Sequence, residues 1–213
     1  MNFQLFKNKF CRYPFIRTKD ILFTSEEPVQ SMRNQISRWE KKGLLLKIKK
    51  GMYILNENDR KVFPSRFFFA NQIIWPSYVS LESALSYYGL IPERVEDVTS
   101  VTTKKTSSFN APLGEFVYRH LKTEAFKGYR SFKDEAGLEI FIAEPEKAVV
   151  DFLYLNLDKF KKQSTAIFRD SYRFQNVGIL SLRKIMFFSG FFNNKWLTVT
   201  ARQFCAFAEK EKK

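Results

Sequence analysis

Residues 28–55 read PVQSMRNQISRWEKKGLLLKIKKGMYIL. Val29, Met32, Ile36 and Trp39 recur at three and four residues, which sets one apolar stripe along one helical face. Pro28 suits a first helical turn, where its missing N–H is not needed. Gly43 follows the last stripe residue and fits a helix C-terminus. Ser31, Asn34, Ser37, Arg38 and Lys41 fall away from the stripe. Two apolar runs follow, 44–48 and 52–55, joined by Lys49-Lys50-Gly51 as a hairpin in which Gly51 can take positive φ. A helix with an amide- and Arg-bearing face, followed at once by a Lys-tipped hairpin, reads as the recognition helix and wing of a winged helix-turn-helix.

Working outward, the residues before this stretch complete that pattern. Phe3, Phe6 and Phe10 sit at helical spacing. Tyr13-Pro14 breaks the helix, Phe15-Ile16 suits a short strand, and Thr18 can cap a helix over 19–23 with Asp20 in its first turn. The polar segment 56–60 reads as a linker, dividing a head, residues 1–62, from a second region, residues 63–213.

That second region reads as α+β, a small sheet flanked by helices. Residues 63–75 are Phe-rich and helical in pattern. Within 77–89, Ser80 can cap a helix that buries Leu81, Ala84, Leu85 and Tyr88 and stops at Gly89. Residues 98–103, 115–121 and 138–142 are strand-like, and 104–112 is loop-like. Glu144-Pro145-Glu146 opens a helix, after which the chain is helical and basic to its end. The fold class expected is therefore α+β: an N-terminal winged helix-turn-helix, then a sheet-containing domain with a helical C-terminal region.

The chain of 213 residues carries a formal charge of +14, which favours a polyanionic partner. The charge is uneven. Residues 1–62 hold 14 Lys/Arg against 6 Asp/Glu, residues 63–157 hold 10 against 12, and residues 158–213 hold 12 against 4. The excess lies at the two ends. Cys11 and Cys205 are far apart without metal-ligand spacing and read as reduced thiols. No apolar run approaches the ~18 residues of a membrane helix, and the N-terminus does not read as a signal peptide. A cytoplasmic protein without membrane partner, metal or cofactor is expected.

Several segments together resemble a known family. RWEKKGLLLKIKKGMY, YVSLESALSYYGLIPE, GEFVYRHL and AEPEKAVVDFLYL occur in that order. Over roughly residues 15–157 the chain is similar to the abortive-infection antitoxins, the AbiEi-like transcriptional regulators of type IV toxin–antitoxin systems. The resemblance implies a winged helix that binds the promoter of its own operon. It also implies a C-terminal antitoxin domain opposing a nucleotidyltransferase-like toxin.

The candidate DNA-reading residues lie on the helix and hairpin. Asn34 and Gln35 can pair bidentately with adenine, and Arg33 and Arg38 with guanine. Asn34 and Arg38 are the best aimed, opposite the stripe, with Ser31, Ser37 and Lys41 beside them. Lys42, Lys47, Lys49 and Lys50 suit phosphate or the minor groove. Residues 30–51 hold seven Lys/Arg against one acid, Glu40. The bland alternative is a solvated face on a protein-interaction module. Elsewhere, Glu144, Glu146 and Asp151 could suggest acid–base work, but Pro with flanking acids is also an ordinary helix start. His120 is the only histidine. Asp97, Glu115 and Glu139 could imitate a metal-dependent nuclease site. In the tail, Tyr172, Phe174, Phe187, Phe188, Phe191, Phe192 and Trp196 interleave with cations, which fits either base stacking or a helical core, and core is favoured.

Overall fold

The computed structural model describes residues 1–160 and 166–211. The fold is mixed α+β with two sheets. The N-terminal part runs α1 (Phe3–Phe10), β1 (Ile16–Arg17), α2 (Thr18–Phe23), α3 (Val29–Lys41), β2 (Leu45–Lys49) and β3 (Met52–Leu55). Its strands pair antiparallel in the order β1-β3-β2.

The stripe on α3 buries Met32, Ile36 and Trp39 against Phe6, Phe10, Ile16 and Ile21. The Trp39 ring lies 4.7 Å from Phe6 and 5.5 Å from Phe3. Val29 departs from expectation: it is 52% exposed. It opens the helix, whereas the aromatic cluster gathers against the last turn, around Trp39. The C-terminus of α3 closes with a Schellman pair, Leu44 N–H to the Trp39 carbonyl and Gly43 N–H to the Glu40 carbonyl, with Gly43 at φ +68°.

The hairpin has both faces covered. Tyr53 and Leu55 belong to the N-terminal core, while Met52 and Ile54, alternating with them, belong to the core of the larger sheet. Leu45 and Ile48 of β2 divide in the same way. Two buried faces explain why 52–55 is an unbroken apolar run rather than an alternating one. The segment 56–60, expected as a linker, is a turn fastened to α1. Lys7 pairs with Asp59 at 2.6 Å, and Lys61 N–H donates to the Cys11 carbonyl at 2.7 Å.

The second part runs α4 (Arg66–Ile73), β4 (Ser77–Val79), α5 (Leu81–Tyr87), β5 (Val98–Thr102), β6 (Ser107–Ala111), β7 (Gly114–His120), β8 (Tyr129–Lys133) and β9 (Glu139–Ala143). Then come α6 (Pro145–Leu155), α7 (Leu157–Phe160), α8 (Ala166–Asp170), α9 (Leu182–Gly190) and α10 (Lys195–Glu211). The six strands are ordered β6-β7-β5-β4-β9-β8. The inner pairs β5/β7 and β4/β9 are parallel, and the remaining pairs are antiparallel.

Helix α5 buries Leu81, Ala84 and Leu85 and ends before Gly89 (φ +65°), as its pattern predicts, while Tyr88, also expected inside, is half-buried at the helix end. Three strands depart from expectation. Ser77–Val79 is a short strand ahead of the helix that begins after Ser80, Ser107–Ala111 is a strand rather than a loop, and Tyr129–Lys133 is a strand in a segment with no strand pattern. Helices α6, α9 and α10 pack together, and Phe168 of α8 and Phe174 just after it form an aromatic cluster with Phe204 and Phe207 of α10.

Candidate nucleic-acid interface

The outer face of α3 is set by what its inner face buries. With Met32, Ile36 and Trp39 turned inward, Arg33, Asn34, Ser37, Arg38, Lys41 and Lys42 are exposed. Between α3 and the hairpin lies a cleft of about 510 Å³, lined by Thr18, Arg33, Ile36, Ser37, Glu40, Lys50, Gly51 and Tyr53. Its shape follows from two constraints. Trp39 and Leu45 bind helix and strand into one core, and the two-residue turn Lys50-Gly51 carries the hairpin past the helix, with Gly51 at φ +80°. Thr18 N–H donates to the Gly51 carbonyl at 3.0 Å and fixes the turn against the start of α2.

The acid of this surface is partly answered: Glu40 pairs with Lys47 at 3.5 Å. Asn34 keeps its amide at the surface, where its oxygen accepts from Gln30 at 3.1 Å. Arg33 and Lys50 are exposed cations lining the cleft, and Arg38, Lys41 and Lys42 are exposed cations elsewhere on α3 and its C-terminal end.

Three expected contact residues are placed elsewhere. Ser31 and Gln35 both donate to the Glu27 carboxylate, at 3.1 and 2.5 Å. The N-terminal amine of Met1 also contacts Glu27. These two side chains therefore close the start of α3 onto the chain terminus. Lys49 turns away from α3, and its ammonium donates to the carbonyls of Gln72 and Ile73 at the end of α4. Burial, then the nearby Arg17 and Lys104, lower its pKa.

Those neighbours identify cations that local reading missed. Arg17 precedes α2, and Lys104 belongs to the β5–β6 loop, yet both lie close enough to Lys49 to affect it. Lys104 carries no local signal because it lies far from Lys49 in sequence; the strand that follows it, β6, packs against β2.

The other candidates resolve as follows. Lys147 and Asp151, one helical turn apart on α6, are fully buried and paired. Lys147 also donates to the Tyr78 hydroxyl at 2.9 Å, and Tyr78 and Ser80 donate to Asp151 at 3.0 and 2.9 Å. Burial pushes the Lys147 ammonium down and the Asp151 carboxyl up, and their contact opposes both shifts. Four groups without solvent access form an internal clasp between β4 and α6. Glu146 accepts from Ser181 N–H at 3.0 Å, and Glu144 pairs with Lys184 at 2.7 Å. His120 Nδ1 lies 3.0 Å from the Lys104 carbonyl at the surface.

The three acids considered as a nuclease-like set are not gathered. Asp97 and Glu115 share a cleft with Arg66 and Arg94, but Glu139 lies on β9, separated from β7 by β5 and β4. Among the described residues no cluster of three His, Cys, Asp or Glu side chains is placed to hold a metal. In the tail, Phe174, Phe188 and Phe192 are buried, while Phe187 and Trp196 are exposed. Arg169 and Arg173 pair with Glu211 and Glu93.

No protein-family model and no curated protein matches this chain. Among the described residues no helix is long and apolar enough to cross a membrane.

Proposed function

We propose that this chain is a sequence-specific binder of double-stranded DNA, in which α3 is a recognition helix and the β2–β3 hairpin a wing. The observation that carries the reading is the cleft in which Arg33 and Ser37 of α3 face Lys50 of the hairpin, with Asn34 and Arg38 exposed on the outer side of the same helix. An amide and two guanidiniums suit base edges in a major groove, and the lysines suit phosphate. Arg17 and Lys104 extend the cationic edge beside the hairpin.

On the resemblance of its segments to AbiEi-like regulators, the DNA is the promoter of its own operon. The same resemblance supports a second role as antitoxin to a nucleotidyltransferase-like toxin, carried by the larger sheet and its helices. A cytoplasmic location accords with both roles.

The test is an equilibrium titration of the full chain against duplex from its own upstream region and against a shuffled duplex, at several salt concentrations. Preference for the upstream duplex is expected to be about 10³-fold or more. Equal affinity for the two would remove sequence specificity, and no binding at low salt would remove DNA altogether. Co-expression with a neighbouring nucleotidyltransferase-like reading frame tests the antitoxin role by restored growth.

A further inference from the structure

The two edges of the six-stranded sheet differ. Strand β6 abuts β2 of the N-terminal sheet. Strand β8, at the other edge, has β9 as its one strand neighbour, and all five of its residues are exposed.

The direction of its backbone groups follows from the register. Tyr129 pairs with Ala143 and Lys133 with Glu139. Glu144 N–H donates to the Gly128 carbonyl at 2.8 Å, and Asp134 N–H donates to the Leu138 carbonyl at 2.9 Å. Even-numbered residues therefore form the hydrogen-bonded pairs with β9. Tyr129, Ser131 and Lys133 point their N–H and C=O groups out of the sheet edge.

The strand reads Tyr129-Arg130-Ser131-Phe132-Lys133. Laid antiparallel on a second copy about a two-fold axis at Ser131, each aromatic meets a cation. Tyr129, whose ring stacks on Tyr78 of its own chain, faces Lys133 of the other copy, and Arg130, paired with Glu144 of its own chain, faces Phe132. The pairs 131/131, 129/133 and 133/129 are the ones with outward backbone groups on both strands. Each such pair exchanges both of its N–H···O bonds. Cross-strand cation–aromatic pairs are favourable. Lysine on an edge strand ordinarily discourages pairing. Here the cations Lys127, Arg130 and Lys133 are offset within 127–144 by Asp134, Glu135, Glu139 and Glu144.

We infer that β8 is a self-association edge, through which two copies of this chain join antiparallel about Ser131 into one continuous sheet. The inference does not depend on the DNA reading. A second copy is the occupant because the five-residue pattern is complementary to itself in the antiparallel alignment that pairs all five residues and uses all three outward backbone positions.

Sedimentation of the full chain tests it. The expected mass at high concentration is twice 25.2 kDa, falling toward 25.2 kDa on dilution. Ser131→Pro removes an N–H that β9 does not use, so it should abolish the dimer while leaving thermal unfolding unchanged at dilutions where the parent is monomeric. Residues opposed in a hydrogen-bonded pair have Cα atoms about 5.5 Å apart, within disulfide reach. Ser131→Cys should therefore cross-link to itself under mild oxidation. Arg130→Cys, which faces position 132 of the other copy, and the parent chain with Cys11 and Cys205 should not. A monomer at every concentration would overturn the inference, as would a dimer that survives Ser131→Pro. If Ser131→Pro fails to fold, equal cross-linking at positions 130 and 131, or none at 131, overturns it.

Discussion

The Lys49 ammonium donates to the Ile73 carbonyl at the C-terminal end of α4. A cation at that end of a helix meets carbonyls left without intrahelical partners and the negative pole of the macrodipole. The hairpin is thereby fastened to the larger half of the molecule, and of its two tip lysines Lys49 is turned to α4 while Lys50 is exposed. Lys50→Ala should reduce the slope of log affinity against log salt by about one, uniformly across DNA sequences. Lys49→Ala should leave that slope unchanged and lower thermal stability instead. Arg38→Ala should cost about 1–3 kcal/mol on the upstream duplex and little on shuffled DNA. Salt titrations of the three variants, with melting curves, separate these outcomes.

The sharing of the hairpin between two cores bears on truncation. Residues 1–62 alone would expose Leu46, Ile48, Met52 and Ile54, which pack into the larger core. A chain cut after residue 62 is therefore expected to lack a cooperative thermal transition and to bind a hydrophobic dye. Sharp unfolding of that fragment would show that the larger core is dispensable to the hairpin.

The clasp formed by Lys147, Asp151, Tyr78 and Ser80 should be costly to open from one side. Removing one partner of a buried ion pair leaves the other charge uncompensated, at about 3–5 kcal/mol. Lys147→Met should destabilise by that amount in urea, measured as a fall in midpoint at constant slope. Lys147→Met combined with Asp151→Leu should recover part of the loss, because no lone buried charge remains. A single variant as stable as the parent would contradict the pairing.

Glu144 supplies a pH dependence. Burial pushes its carboxyl up, but hydrogen bonds from Lys184 and Arg130, together with their charges, outweigh burial and hold it below its ordinary value of 4.5. A carboxyl depressed on folding stabilises the fold above its unfolded value, and that contribution is lost as pH falls through the folded value. The stability difference between the parent and Lys184→Met should therefore be largest at neutral pH and shrink as pH drops below about 4.5. Urea midpoints across that range measure it. A gap that widens in acid would reverse the sign.

How far the sequence discloses this molecule depends on where each element finds its partners. The stripe Met32, Ile36, Trp39 and the terminal Gly43 define α3 by local pattern, and the same holds for Leu81, Ala84 and Leu85 on α5. Strand β8 carries no such signal, because with every residue exposed it has no apolar face to alternate. Ser77–Val79 was hidden by the helix that begins two residues later. Lys49 resembles Lys50 in composition, yet its partners lie 23 and 24 residues downstream. Ser31 and Gln35 were drawn inward by Glu27, a residue that read only as part of a turn.

DNA is proposed to lie on α3 and the hairpin. Hydrogen exchange of the full chain, free and bound to the upstream duplex, tests it at the level of segments. Slowed exchange is predicted in residues 29–55, strongest around Lys50 and Gly51, where the hairpin tip borders the cleft. Binding that slows exchange only in the C-terminal helices, with 29–55 unchanged, would contradict the account.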